Sequence, residues 1–318
     1  MEGLKKLCDA TGISGREEKV RALVKDELKP LADDLHTDAL GNVIALKRGK
    51  GKPSVMLAAH MDEIGFIVSH IDEHGFLSVN PVGGIDARNL VSRQMIVHGR
   101  KEVLGVMAYK AKPIHIMDEE EKKKIPKPTD FYVDLGLSKE EVLKNVRIGD
   151  PVTYAVQATE VGNHLCGKCL DDRVGVYIMI EALKRLKGKK LEADVFAVAT
   201  VQEEVGTRGA MTSGYGIDPD VAIAIDVTIA GDVPSVKEAD QISTLGGGVS
   251  ISVMDSGSIS NYKLVNFLRE LAEKKNIKHQ MGILPRGGTD AMAIQKAKKG
   301  VPVVTLSVPT RYLHSPTE

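Results

Sequence analysis

The sequence predicts an α/β fold in which helices sandwich a sheet and a mainly β segment interrupts the unit. Two observations carry this. Continuous apolar strands alternate with amphipathic helices in the first 65 and the last 160 residues, the pattern of a sheet covered on both faces. Between about Gly65 and Thr159 the runs become short and alternating, and no long helical stripe appears. The reading places the α/β unit at 1–65 and 160–318 and the β insert at 66–159.

The elements follow in order. Ser14 and Glu17 have capping-box spacing, and Val20, Leu23, Val24 and Leu28 then form a helical stripe that Pro30 ends. Cys8 falls on a helix before it. Strand-like runs follow at 43–46 and 55–59. Inside the insert, 66–71 and 76–79 form a hairpin across Asp72-Glu73-His74-Gly75. Further strands are predicted at 94–99, 103–108 and 152–156. The charged stretch 118–124 reads as a solvated loop. The α/β rhythm then resumes with a helix from Asp171 to about Lys187 and strands at 195–201, 221–225 and near 249–253. A helix at 261–275, one after Thr289 and a strand at 303–308 complete the chain.

Composition narrows the function. Lys plus Arg and Asp plus Glu both number 43, so a net charge of zero gives no reason to expect nucleic acid or an anionic membrane as partner. The first ten residues carry four charges and lack the apolar core of a signal peptide. No apolar run reaches membrane-spanning length, and three cysteines are too few for a disulfide framework. The expected location is the cytoplasm.

The chemistry sits at strand ends. The 55–59 strand ends at His60-Met61-Asp62, the 195–201 strand at Gln202-Glu203-Glu204, and the 221–225 strand at Asp226. A short loop after the last strand holds His314, and Asp171 opens a helix beside Asp172. Open α/β sheets bind ligands beyond the carboxyl ends of their strands, so these groups could share one rim. Mixed imidazole and carboxylate donors suit Zn²⁺, Co²⁺ or Mn²⁺. A pair of ions about 3.5–4 Å apart needs a bridging carboxylate, and a further carboxylate must carry the proton. Two histidines, three carboxylate ligands and one spare glutamate meet that requirement.

Six motifs, taken together, resemble one family. They are Ala59-His60-Met61-Asp62-Glu63-Ile64-Gly65, Leu170-Asp171-Asp172-Arg173, Gln202-Glu203-Glu204-Val205-Gly206, Asp226-Val227-Thr228, Gly287-Gly288-Thr289-Asp290 and His314-Ser315-Pro316. In this order they resemble the tetrahedral, glutamyl-type aminopeptidases, which are dinuclear metallopeptidases. The resemblance implies a three-layer catalytic domain with a phosphorylase/hydrolase-like sheet and an inserted β-barrel-like domain. It implies that His60 and Asp226 hold one ion, Glu204 and His314 the other, and that Asp171 bridges them. Glu203 would act as general base on a water shared by the ions, and Asp62 would orient His60. It further implies Zn²⁺ or Co²⁺, short peptides as substrates, and insert-mediated dimers that assemble into a tetrahedral dodecamer. Relatives usually continue into a final helix, so this sequence is either a fragment or dispenses with that helix.

Other readings stay open. Asp171 or Asp172 could cap the helix, and the Gly287–Asp290 loop could be a turn with Thr289 as cap. Two carboxylates also equip glycoside hydrolysis, and some relatives carry an endoglucanase label. Sugar cleavage, however, needs neither His60 nor His314. A metal-dependent deacylase on the same scaffold is the other alternative. His164, Cys166 and Cys169 could form a zinc or redox site, or could simply be buried thiols near the rim.

Overall fold

A computed structural model describes residues 1–113 and 115–318. The chain opens with helices α1 (Glu2–Asp9) and α2 (Glu18–Leu28) and strands β1 (Asp34–Thr37), β2 (Val43–Lys47) and β3 (Ser54–His60). Six strands follow: β4 (Gly65–Ile71), β5 (Leu77–Val82), β6 (Gln94–His98), β7 (Glu102–Tyr109), β8 (Phe131–Asp134) and β9 (Pro151–Tyr154). Short helices α3 (Glu119–Lys123) and α4 (Lys139–Asn145) lie among them. A hairpin of β10 (Thr159–Val161) and β11 (His164–Cys166) leads into α5 (Leu170–Leu186). The remainder is β12 (Asp194–Thr200), α6 (Arg208–Ile217), β13 (Val221–Ile229), β14 (Val249–Met254), α7 (Tyr262–Lys274), β15 (His279–Ile283), α8 (Ala291–Ile294) and β16 (Val303–Thr310).

The large sheet has the order β1-β2-β12-β3-β13-β16-β14-β15. Its centre is parallel: β12 and β13 flank β3, and β16 pairs with β13. Four carboxyl ends therefore reach the same rim. On one face Val24, Val176, Ile180 and Leu183 of α2 and α5 cover Ala59, Ala197 and Ile225. On the other, Ala210 of α6 and Ile294 of α8 cover Met56, Val198 and Ala222. Both strand faces must be apolar, which is why these strands read as unbroken hydrophobic runs. No helix among the described residues is long and apolar enough to cross a membrane.

Strands β4 to β9 close into a barrel in the order β4-β5-β8-β7-β6-β9. Closure removes the unpaired edges that an open antiparallel sheet would present. Phe66, Leu77, Met95, Met107, Phe131 and Val152 fill its centre. In the chain the barrel falls between β3 and α5, at the rim where β3 ends. It is thus placed against whatever that rim does.

Several expectations are corrected. Ser14 and Glu17 form no capping box: Ser14 Oγ donates to Asp62 Oδ2 at 2.6 Å, and Glu17 accepts from Gly15 N. A tertiary partner won over the local one. The 118–124 stretch contains helix α3 rather than only loop, because Asp118 and Glu121 form a genuine capping box. Asp226 lies inside β13, not at its end. That strand runs on to Ile229 against β16 after its pairing with β3 has stopped at Ala224. The helix expected from Asp171 is regular only after Asp172, since both aspartates have non-helical backbone angles. Strands β1, β8, β10, β11 and β15 and helices α4 and α6 are not marked in the sequence. Three glycines in the ten residues of α6 hide its period.

Candidate metal centre

His60 is the last residue of β3 and is level with Thr200 of β12 in the parallel register. Asp172 Oδ2 accepts from the His60 backbone N at 3.2 Å, while Asp172 Oδ1 accepts from Gly175 N at 3.0 Å. Asp172 thus caps α5 and secures the end of β3 together. Its neighbour Asp171 is joined to it by a cis peptide. His60 Nε2 lies 2.9 Å from Asp171 Oδ1, and His314 Nε2 lies 3.4 Å from Asp171 Oδ2. Asp171 therefore stands between the two imidazoles. His314 Nε2 is also 3.5 Å from Glu204 Oε2.

The turn after β12 presents the two glutamates. Gln202 takes a left-handed backbone, with φ of 56°, and reverses the chain at once. The turn is pinned from below by Asn42, whose Oδ1 accepts from Val201 N at 3.0 Å. Asp62 then accepts from Glu203 N at 3.0 Å, Glu204 N at 3.2 Å and Ser14 Oγ. Asp62 is fully buried, and three donors compensate its charge. Toward His60, its backbone carbonyl at 3.2 Å from Nδ1 is nearer than its carboxylate at 3.5 Å.

The barrel contributes as well. Gly84, in the loop after β5, offers its carbonyl to His314 Nδ1 at 2.7 Å. A Cβ at Gly84 would sit 3.0 Å from that nitrogen, so a larger residue there would press on the ring. Behind the rim, Asp290 Oδ2 accepts from Thr200 Oγ1 at 2.5 Å, and its buried Oδ1 has no partner.

Two groups of donors lie within 4.8 Å of one another: His60 with Asp172 and Asp226, and His60 with Asp171 and Glu204. The structure thus brings His60, Asp171, Glu204, Asp226 and His314 to one place, with Glu203 and Asp62 beside them. Ser14, Gly84 and Glu318 join them without having been weighed as functional from the sequence, and nothing in the sequence marks Ser14 or Gly84 for that role. Asp172, weighed as a cap for the helix, does accept from Gly175 N and also from His60 N.

The electrostatics fit a divalent cation. Burial, then the charge of Asp171, pushes Glu204 up to about 8. Burial raises Glu203 well above the carboxylate range against the pull of His60, helped by Asp226, Asp290 and Glu204. Asp226 is held well up by burial and Asp171, and Asp172 by burial and Asp226. Asp290 rises to about 6 through burial. The hydrogen bond to Asp171 lifts His314 to about 10. Among the described residues no Lys or Arg pairs with any of these carboxylates. A buried surplus of negative charge facing two imidazoles is the environment a divalent ion neutralises.

The His164, Cys166 and Cys169 run does not make a second such group among the described residues. Cys169 is buried, with Sγ 3.2 Å from both Lys168 Nζ and Glu63 Oε2. Cys166 is half-buried and His164 exposed.

Comparison with known proteins adds an independent line. The sequence model of the M42 glutamyl aminopeptidase family matches residues 41–318. Lysyl aminopeptidase of Pyrococcus furiosus is 40% identical over 327 residues, covering 100% of this chain and 91% of that protein. Aminopeptidase APDkam598 from the archaeon Desulfurococcus kamchatkensis superposes with a TM-score of 0.94 at 43% identity, covering 99% of this chain and 88% of its own. The Pyrococcus horikoshii TET1 peptidase, described as assembling into a tetrahedron or a large octahedral shell, superposes with a TM-score of 0.88 at 35% identity, with coverage of 99% and 92%.

Proposed function

The chain belongs to the M42 glutamyl aminopeptidase family and is a metallo-aminopeptidase; on that premise we propose that it uses two divalent ions to remove the first residue of short peptides. The observation that carries the proposal is the convergence of His60, Asp171, Glu204 and His314 within 3.5 Å contacts, with Asp226 grouped on the His60 side. In this reading His60 and Asp226 hold one ion, Glu204 and His314 the other, and Asp171 bridges. When bound, Zn²⁺ or Co²⁺ supplies the Lewis acidity that polarises the scissile carbonyl and acidifies water.

The protein's own groups do the rest. Burial raises Glu203 well above the usual carboxylate range, which makes its carboxylate a stronger base for taking a proton from the attacking water and returning it to the leaving amine. Asp62 fixes the backbones of Glu203 and Glu204 together, which sets the base relative to the ligand. Asp172 holds the His60 backbone, and the Gly84 carbonyl holds the His314 ring. The anionic rim favours a substrate bringing a free amine over one whose terminus is acylated.

The same reading extends to assembly and location. The barrel carries exposed Val91, Leu104, Leu143 and Ile148, apolar side chains that would be covered if barrels pair subunits. Dimers so formed, building a tetrahedral dodecamer, would restrict access to short, unfolded peptides. Light scattering that returns a monomer at working concentration would end this part alone. Free Cys8 and Cys169, buried beside the rim, suit a reducing compartment such as the cytoplasm. For the chemistry, the test is a metal-supplemented panel of aminoacyl-anilides, N-acylated amino acids and β-glucans. Cleavage of free-amine substrates that depends on added ion is expected; preferential cleavage of acylated substrates or glucans would replace the reading.

A further inference from the structure

We propose that Glu318 is a positioning residue that locks the loop of His314 onto the segment of Asp171, so that the ion site built on Glu204 and His314 depends on it. The proposal rests on the two-ion reading above. Glu318 is 7% exposed and takes no part in the ligand set. Its main chain makes a reciprocal pair with Gly167: Glu318 N donates to Gly167 O at 2.9 Å, and Gly167 N donates to Glu318 O at 3.2 Å. Its side chain turns inward. Oε2 accepts from Asp171 N at 2.9 Å, and Oε1 accepts from His314 N at 3.0 Å.

One carboxylate thus joins the two backbone positions whose side chains approach to 3.4 Å. The need for such a tie is visible at His314. Its φ of 58° is a left-handed conformation that a non-glycine residue keeps only when its surroundings impose it. Gly84 O directs the ring through Nδ1, whereas the Glu318 contact ties the His314 backbone to the start of α5. The chemistry of the tie is specific. Two backbone N–H donors need two acceptors on one carbon, which a carboxylate supplies. An amide of the same shape supplies one acceptor and turns a donor toward the other N–H.

The test is calorimetric titration of Zn²⁺ and Co²⁺ into the chelated full chain, with elemental analysis of the loaded protein. Wild type is expected to take two ions per chain. Glu318→Ala should weaken the ion assigned to Glu204 and His314 by roughly ten- to a hundredfold, the usual effect of removing a group that orients a ligand, and the ion assigned to His60 and Asp226, which shares only Asp171, by clearly less. Glu318→Gln, which keeps bulk and one acceptor, should weaken the same ion by less, and it decides the matter if the alanine variant does not fold. Two ions bound with wild-type affinity in both variants would overturn the proposal. Equal weakening of both ions would overturn it too, because a general loosening of the fold moves both sites. A wild-type chain that binds no ion would instead remove the two-ion reading itself, and this inference with it.

Discussion

The barrel and the rim of the large sheet are built on opposite terms. In the barrel, side chains obey local rules: alternation puts Phe66, Met95, Met107 and Phe131 inside, and Ser138 with Glu141 caps α4 in a complete capping box. At the rim those rules are set aside. Gln202, Cys169 and His314 take left-handed backbones, Asp171 and Asp172 break the helix they begin, and Ser14 leaves its cap to bond Asp62. Carboxylates are buried side by side there, with Glu204 raised to about 8 and Asp290 to about 6. The contrast teaches that the folding free energy of apolar layers sustains a rim that is locally unfavourable, and that the unfavourable part is where the chemistry lies.

Substitutions can sharpen that contrast or break it. The largest effect is expected at Glu203. Glu203→Gln should lower kcat about 10²- to 10⁴-fold while metal content and the melting midpoint stay at or above wild type. Near-normal turnover in that variant would mean another group moves the proton. In the barrel the expected effect is on stability alone. Phe131 is fully buried, and Phe131→Ala should cost about 3–5 kcal/mol in chemical denaturation with kcat little changed at low temperature. A parallel loss of kcat in the folded variant would show that barrel and rim are not separable, with the Gly84 contact the obvious route.

A third expectation concerns ion removal and pH. Glu204 is raised from 4.5 to about 8 and His314 from 6.5 to about 10 in the ion-free chain. Groups raised in the folded state stabilise it fully below their unfolded values, and that contribution fades as pH climbs through the folded ones. Ions bind the deprotonated ligands, so they compensate most where the free chain is weakest. The gap in melting midpoint between loaded and chelated protein should widen from pH 5.5 to pH 8. A gap independent of pH would contradict it. The smallest effect is expected at Ser14, where Ser14→Ala removes one donor to a buried carboxylate. It should cost about 1.5–3 kcal/mol of stability, with ion content retained; loss of an ion in this variant would assign Ser14 a larger part.

Much of the fold was legible because it depends on periodicity. The runs at 43–46, 55–59 and 195–201 and the stripe Val176, Ile180, Leu183 reflect burial on two faces, which any such sheet imposes. Where periodicity was short or diluted by glycine, as in β8, β15 and α6, nothing marked the element. The candidate ligands were legible in kind, since a polar residue ending an apolar strand has few structural reasons to be there. Their neighbours were not. Ser14 lies 48 residues from Asp62, and Glu318 lies 147 from Asp171.

The sequence by itself determined the layered architecture, the barrel's alternating strands and the supply of imidazoles and carboxylates at strand ends. Those are properties of side-chain order along one element. Only the tertiary structure decided which groups face which: that Asp171 stands between His60 and His314, that Asp172 and Asp62 serve backbones, and that Gly84 reaches across from the barrel. Such pairings arise where parallel strands deliver distant segments to a common level. A hydrogen bond is set by position in space, and distance along the chain carries no record of it.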